Sequence, residues 1–335
     1  MSLTARLLVL LFTSLAAFSA LAQAAPAAQP APAAKPAEVA KPAEAAKTAE
    51  PAKPAEPVPP TLQRVRESGV LVIAHREASI PFSYLDGDKK PVGYALELCL
   101  KVADALRRDL KLPNLRVEFV PVSSANRIPV IAQGKADLEC GSTTNNAARR
   151  KEVAFAPAHY FAGARLLVRS NSGFKRLADL RGKRIVTTRG TTTATALKAA
   201  AEKGIVSATI VEAKDHDESF AMLEKGEADA FAMDDILLYS QRANAKDPAR
   251  WEVVGEFISV EPLAIMLRRA DPEFKRYVDG VISRAMIDGE VRKLYSRWFL
   301  SPIPPKGVNL GIPMSPLLRE QMLFPTDKVG DELGG

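Results

Sequence analysis

From Thr61 onward the chain alternates short runs of β-branched and apolar residues with stretches of helical period. The runs are "VLVIA" at 70–74, "LRVEFV" at 115–120, "DLEC" at 137–140, "KRIVT" at 183–187, "TIVE" at 209–212 and "DAFAM" at 229–233. Such runs are short enough for strands. After the first of them, Ala95, Leu98, Cys99, Val102 and Leu106 share one face of a helix running from about 95 to 110. Strand and helix in alternation predict an α/β fold with largely parallel strands.

Each run ends in polar material: "HRE", "PVSSANR", "CGSTTNN", "TRGTTT", "AKDHDES" and "DD" in turn. Any one of these reads as an ordinary loop, and six in succession point to one polar crevice. Open α/β sheets bind ligands beyond the carboxyl ends of their strands. A faint internal repeat sharpens the picture, because Gly134 to Asp137 and Gly226 to Asp229 share a Gly-x-Ala-Asp step followed by an apolar run. Aligned on that step, Ser124 falls opposite His216 and Ser142 opposite Asp234.

The first two dozen residues break the pattern: Arg6, an apolar stretch, then the small residues of "ALAQA". They read as an export signal over 1–24, the apolar part being short for a ~20-residue membrane span. Residues 25–60 repeat Ala, Pro, Lys and Glu without aliphatic periodicity, which predicts a disordered, semi-extended tether. An exported chain meets an oxidising compartment, so the two cysteines, Cys99 and Cys140, are a candidate disulfide, with two buried free thiols as the alternative.

Composition narrows the function. The 335 residues are 47% hydrophobic, enough for a sizeable core and for two domains. Net charge is +7, but acids and bases are interspersed and aromatics make up only 6%, with no arginine-rich run carrying stacking rings, so nucleic acid is not expected as a partner. Catalytic patterns are missing too. There is no G-x-S-x-G elbow to make a triad of Ser142, His216 and Asp234, and no H-E-x-x-H among three scattered histidines.

What remains is a binding crevice. Ser142 and Thr144 offer hydroxyls, and Arg149 carries a planar fork suited to a carboxylate. Gly190 and the threonines from Thr191 open an alanine-rich helix whose free N–H groups suit an anion, although a plain helix cap would use the same residues. Arg76, Arg127 and Arg149, with His216 as a further candidate cation, stand at strand ends against one well-placed acid, Asp234. A ligand with two carboxylates and one ammonium matches that inventory, since a buried arginine without an anion is costly.

The segments "HREASIPFSYLD", "SSANRIPVIAQG", "ECGSTTNN", "AKDHDESF", "MDDILL", "MLRRADPEFK" and "WFLSPIPPKGVNL" resemble the family-3 extracellular solute-binding proteins, in particular those serving glutamate/aspartate ABC importers. The likeness runs from about Thr61 to the C-terminal tail and leaves out the tether. It implies a two-lobed periplasmic binding protein, a type II clamshell with a hinge, closing on one amino acid. Lobe 1 would comprise 61–162 plus 257–335 and lobe 2 163–256, with "ARLLVR" and "LAIMLR" as hinge crossings; the sequence pattern alone equally fits two consecutive domains.

The resemblance also implies roles. Arg149 and the Thr192 region would hold an α-carboxylate, Ser142, Thr144 and Asp234 an α-ammonium, and Arg76, Ser124, Arg127 and His216 a side-chain carboxylate. Ala78 and Ala125 stand where close relatives carry more polar residues. The implied protein is a periplasmic monomer without cofactor, metal or catalysis. Its ligand would be L-glutamate or L-aspartate, and its partner a membrane permease of an ABC importer. Rival readings on the same fold are a cyclohexadienyl or arogenate dehydratase and a receptor for another polar amino acid such as glutamine.

Overall fold

The computed structural model describes residues 59–329, so the export signal and, apart from Pro59 and Pro60, the tether lie outside the described residues. In chain order the strands that matter are β1 (Val70–His75), β2 (Arg116–Pro121), β3 (Leu138–Cys140), β4 (Val153–Phe155), β5 (Tyr160–Arg169), β6 (Arg184–Thr188), β7 (Thr209–Ala213), β8 (Ala230–Asp234), β9 (Trp251–Val254), β10 (Val260–Leu263) and β11 (Met266–Arg268). All six runs seen in the sequence are among them.

They form two main sheets. One has the order β2-β1-β3-β11-β4, the other β7-β6-β8-β5-β9. Within each sheet the strands foreseen from the sequence pair parallel, β1 with β2 and β3, and β6 with β7 and β8. The expectation of largely parallel strands is corrected, because β11 runs antiparallel to β3 and β4, and β5 antiparallel to β8 and β9. A chain that leaves one sheet for another and later returns re-enters against the direction of its crossover strands.

The crossings themselves are displaced from the expected segments. Residues 164–168 of "ARLLVR" sit inside the second sheet against β8 and β9, and Met266–Arg268 of "LAIMLR" belong to the first. The connecting ribbon is the start of β5 paired with β10, Gly163 opposite Val260 through Tyr160 opposite Leu263. A continuous apolar strand carries no mark where it changes partners.

Helix Tyr94–Asp109 buries the face expected of it, including Ala95, Leu98, Cys99, Val102 and Leu106. Burying one such aliphatic side chain contributes about 2 kcal/mol, so a charge at Leu106 would break the packing. Arg107 and Arg108 occupy its last turn, where the helix dipole favours cations. Cys99 on that face is bonded to Cys140 at the end of β3.

The faint repeat is structural. Gly134 and Gly226 adopt left-handed backbones, φ 68° and 77°, just past helices Arg127–Ala132 and His216–Lys225. Three residues on, Asp137 and Asp229 each clamp the neighbouring parallel strand twice. Asp137 Oδ2 accepts from Val72 N while its own N–H donates to Val72 O, and Asp229 does the same with Arg184. The two units thereby aim the starts of the helices, Arg127 and His216, and the strand ends at one place.

Candidate ligand-binding site

Beyond those strand ends lies a buried polar cluster. Arg76 follows β1 directly, and its Nη2 donates to Ser124 Oγ at 2.8 Å. Arg127 opens its helix and gives Nη1 to Ser142 O at 3.2 Å. Arg149 donates Nη1 to Thr144 O and Nη2 to Gly190 O, at 2.9 and 3.3 Å. Thr144 Oγ1 lies 3.4 Å from Thr192 Oγ1. Thus groups from both sheets meet, and Gly190 marks how closely: a Cβ there would fall 2.6 Å from Ala125 Cα. Only glycine fits that contact, at φ 78°.

Thr191, not Thr192, caps helix Thr192–Glu202, its hydroxyl accepting from Ala194 N. Thr192 is thereby left to face the cluster. His216 begins its helix behind the Asp215 cap, with Nδ1 2.8 Å from Thr188 Oγ1. Ser219 gives its only proton to Asp215 O, so Thr188 must donate to Ser219 and accept from His216. That chain fixes the proton of the neutral ring on Nδ1 and leaves Nε2 as a bare acceptor.

Five buried atoms of the cluster have no hydrogen-bond partner among the described residues: Arg76 Nη1, Arg127 Nε, Glu139 Oε1, His216 Nε2 and Asp234 Oδ1. Unpaired buried polar atoms each cost about 1 to 3 kcal/mol, so five together are not a stabilising core. The charges feel it. Burial, then Arg127, push the Arg76 guanidinium down to about 9, against the pull of Glu139 and Asp215, with Arg149 adding repulsion. Burial and Arg127 likewise bring Arg149 to about 9. Burial also lowers Arg127, against the pull of Glu139, Asp234 and Glu261, and at about 9 Arg76 and Arg149 stay cationic at neutral pH.

Two expectations from the sequence need correction. His216 is not a cation here, because burial and then Arg76 and Arg127 hold its ring well below the ordinary imidazole range. Asp234 is not the one acid either. Glu139 and Glu261 are also buried against the same arginines, so three carboxylates face three guanidiniums. Both were legible as charged residues inside apolar runs, "DLEC" and "VEPLAIML". Glu139 Oε2 accepts from Thr143 Oγ1, and Gly141 leaves the room it needs, since a Cβ there would come within 2.5 Å of Glu139 Oε1.

Charge in the cluster is therefore segregated, not in surplus. Arg76 and Arg127 perturb His216, whereas Asp234 answers, after burial, to Glu261 and Asp235, then to Arg127 and Arg149. One end gathers Arg76 and Arg127 around the neutral His216, with the Glu139 carboxylate against them; the other is acidic around Asp234 and Glu261, with Arg149 alongside. Burial and the two neighbouring acids push the Asp234 carboxyl well above its usual range. Contacts and electrostatic neighbours connect all nine residues singled out in the sequence, and add Ser79, whose Oγ is 3.4 Å from Ser142 Oγ.

Comparison with known proteins fits this geometry. Residues 71–301 match the model of the bacterial extracellular solute-binding proteins, family 3. The chain is 46% identical over 274 residues to an L-glutamate/L-aspartate-binding protein of Pseudomonas aeruginosa, spanning 82% of this chain and 91% of the relative. It is 41% identical to a glutamate/aspartate import solute-binding protein of Escherichia coli, over 80% and 89% of the two chains. Among solved structures it resembles the solute receptor for L-cysteine of Neisseria gonorrhoeae, with TM-score 0.63, 26% identity and coverage of 71% and 93%. An ancestral amino-acid-binding protein described as a precursor of cyclohexadienyl dehydratase superposes with TM-score 0.61 at 28% identity, covering 71% and 99%.

Proposed function

This chain belongs to the bacterial extracellular solute-binding proteins of family 3, and from that premise we propose that it captures an acidic L-amino acid, glutamate or aspartate, for an ABC importer. Two relatives matched along about nine-tenths of their length are described as an L-glutamate/L-aspartate-binding protein and a glutamate/aspartate import solute-binding protein. It is a binding protein and not an enzyme. The expected setting is the periplasm, as a monomer that docks on a membrane permease when ligand-bound. No helix among the described residues is long and apolar enough to cross a membrane.

The observation that carries the reading is the segregated charge with its open valences. Arg76 Nη1 and Arg127 Nε at the cationic end suit a side-chain carboxylate, with Ser124 and His216 beside them. Asp234 Oδ1 at the acidic end suits an α-ammonium, with Ser142 and Thr144 near it, while Arg149 and the Thr192 turn serve the α-carboxylate. A doubly acidic amino acid meets the vacancies at Arg76 Nη1, Arg127 Nε and Asp234 Oδ1 with charge-assisted bonds. The two lobes, 61–162 plus 257–335 against 163–256, would close on the ligand about the ribbon of β5 and β10, because only the shut form offers both ends at once.

Calorimetry against the common amino acids tests this. L-glutamate or L-aspartate should bind with Kd around micromolar or tighter, about 8 kcal/mol or more. In Arg127→Ala, affinity for the preferred dicarboxylic ligand should fall about 100-fold, the scale of a lost charge-assisted pair, and far less for glutamine. Silence towards both acids together with turnover of prephenate or arogenate would overturn the reading.

A further inference from the structure

Two carboxylates of the chamber, Glu139 and Glu261, touch no part of the ligand as placed above, and Glu261 stands apart by its position. Glu261 belongs to neither set of strand ends, for it lies on β10 in the connecting ribbon. It is buried, at 3% exposure. Its Oε2 accepts from Thr192 Oγ1 at 2.9 Å, and its Oε1 from Ser259 Oγ. A threonine hydroxyl owns a single proton. With that proton given to Glu261, the Thr192 oxygen turns only lone pairs toward Thr144 and the chamber, so its hydroxyl cannot donate to a carboxylate.

The same end holds a second acceptor, Asp234 Oδ1, with no hydrogen-bond partner among the described residues. The nearby cations have committed much of their donor capacity elsewhere: Arg149 to Thr144 O and Gly190 O, Arg127 Nη1 to Ser142 O. Asp234 Oδ1 and the Thr192 oxygen therefore face the chamber as acceptors, the first with no hydrogen-bond partner among the described residues. From the C-terminal segment, Glu320 and Lys328 border, with Glu261, Thr144 and Thr192, a cavity of about 770 Å³.

Resting on the amino-acid reading of the chamber, we propose that Glu261 is a specificity-determining positioning residue, which selects ligands bearing an α-ammonium by fixing Thr192 as an acceptor and doubling the negative charge beside Asp234. A plain structural anchor would need neither effect. Its loss would weaken every ligand alike through a loosened ribbon. A selector of ammonium, in contrast, discriminates between ligands identical except at the α-substituent, and it changes how Asp234 titrates, since Glu261 is the largest neighbour acting on that carboxyl after burial. In addition, Asp234 answers to Asp235, Arg127 and Arg149, and Glu261 acts on Arg127 and Arg149 and shares a cavity wall with Glu320 and Lys328.

The test uses Glu261→Gln in the full chain, which keeps shape and an oxygen acceptor for Thr192 while removing the charge. Calorimetry compares L-glutamate with 2-hydroxyglutarate, where a neutral hydroxyl replaces the ammonium. Glutamate affinity at pH 7 should fall about tenfold, the scale of one charge-assisted contact, while 2-hydroxyglutarate affinity stays level or rises. In a second arm, glutamate affinity is followed from pH 7 to 4.5. The acid-side loss should begin at lower pH in the variant, because Asp234 without Glu261 ionises more readily. Equal losses for both ligands, no loss for glutamate, or superimposable pH profiles would each overturn the inference while leaving the function standing. A wild-type protein that binds no amino acid would overturn both.

Discussion

Two fully buried regions of this protein each enclose a histidine, and they treat it in opposite ways. Phe82 and Tyr94 pack against the His159 ring, and Tyr160, Tyr295 and Phe299 pack against those two, with Tyr295 and Phe299 stacked at 4.2 Å between ring centroids. Burial pushes the His159 ring down to about 3, and neither of its nitrogens has a partner among the described residues. Around His216 lie guanidiniums, hydroxyls and carboxylates, and charge as well as burial keeps its ring neutral. The aromatic hub excludes charge because it has nothing to offer it. Both regions leave bonds unmade, but only the chamber concentrates charge, so the hub holds the fold while the chamber draws on that stability.

The Cys99–Cys140 bond joins the two regions, and breaking it should give the largest effect. It runs from the helix that begins with Tyr94 of the hub to the strand that leads into Gly141 and Ser142 of the chamber. A loop spanning 41 residues corresponds to about 4 kcal/mol in the chain-entropy model. Denaturant unfolding of Cys99→Ala/Cys140→Ala should show a loss of that order, with ligand affinity within a few-fold of wild type because no sulfur faces the chamber. A loss below about 1 kcal/mol would mean the helix and strand are held without the bond.

Next in size is Asp234→Asn, which sets the needs of the chamber against those of the fold. Binding of the acidic ligand should weaken about 100-fold, or about 3 kcal/mol. The empty protein should nonetheless melt higher at pH 7. The sign follows from the carboxyl, raised by burial, Glu261 and Asp235. The unfolded chain ionises near pH 4 while the folded one resists, so the wild type loses stability as pH rises from there. Asparagine carries no such charge, and the gain should shrink as pH falls back toward 4. A variant that melts lower than wild type across this range would make Asp234 a structural residue.

How much of this was legible in the sequence differs between the same two regions. Strand ends announce themselves, because Arg76, Ser124, Arg127 and Ser142 each stand where an apolar run gives way to polar residues. The Gly-x-Ala-Asp step disclosed the pairing of the two units, since it encodes a left-handed turn and a strand clamp that recur at fixed spacing. Glu139 and Glu261 went unread, as they sit inside strands where periodicity counts them as interruptions and only the fold shows which cations they meet. The parallel-sheet expectation failed at β5 and β11 for a related reason. Direction of pairing is a property of where the chain returns from, and no local pattern records it. The hub was invisible altogether, its rings coming from positions 82 to 299.

The smallest expected effect isolates the hub. His159→Phe keeps a ring of similar size among the aromatic neighbours and removes a group that can be charged only when unfolded. Since the folded ring titrates at about 3 and a free imidazole near 6.5, the wild type carries its full stability above pH 6.5 and loses it as pH falls toward 3. At pH 5 the difference corresponds to about 2 kcal/mol. Melting curves of the two proteins should therefore nearly coincide at pH 8 and separate at pH 5, the variant melting higher. His216 lies in the same pH range, but it is present in both proteins, so the subtraction removes it. A constant gap at all pH values would trace the effect to packing volume, and the hub would then owe nothing to the exclusion of charge.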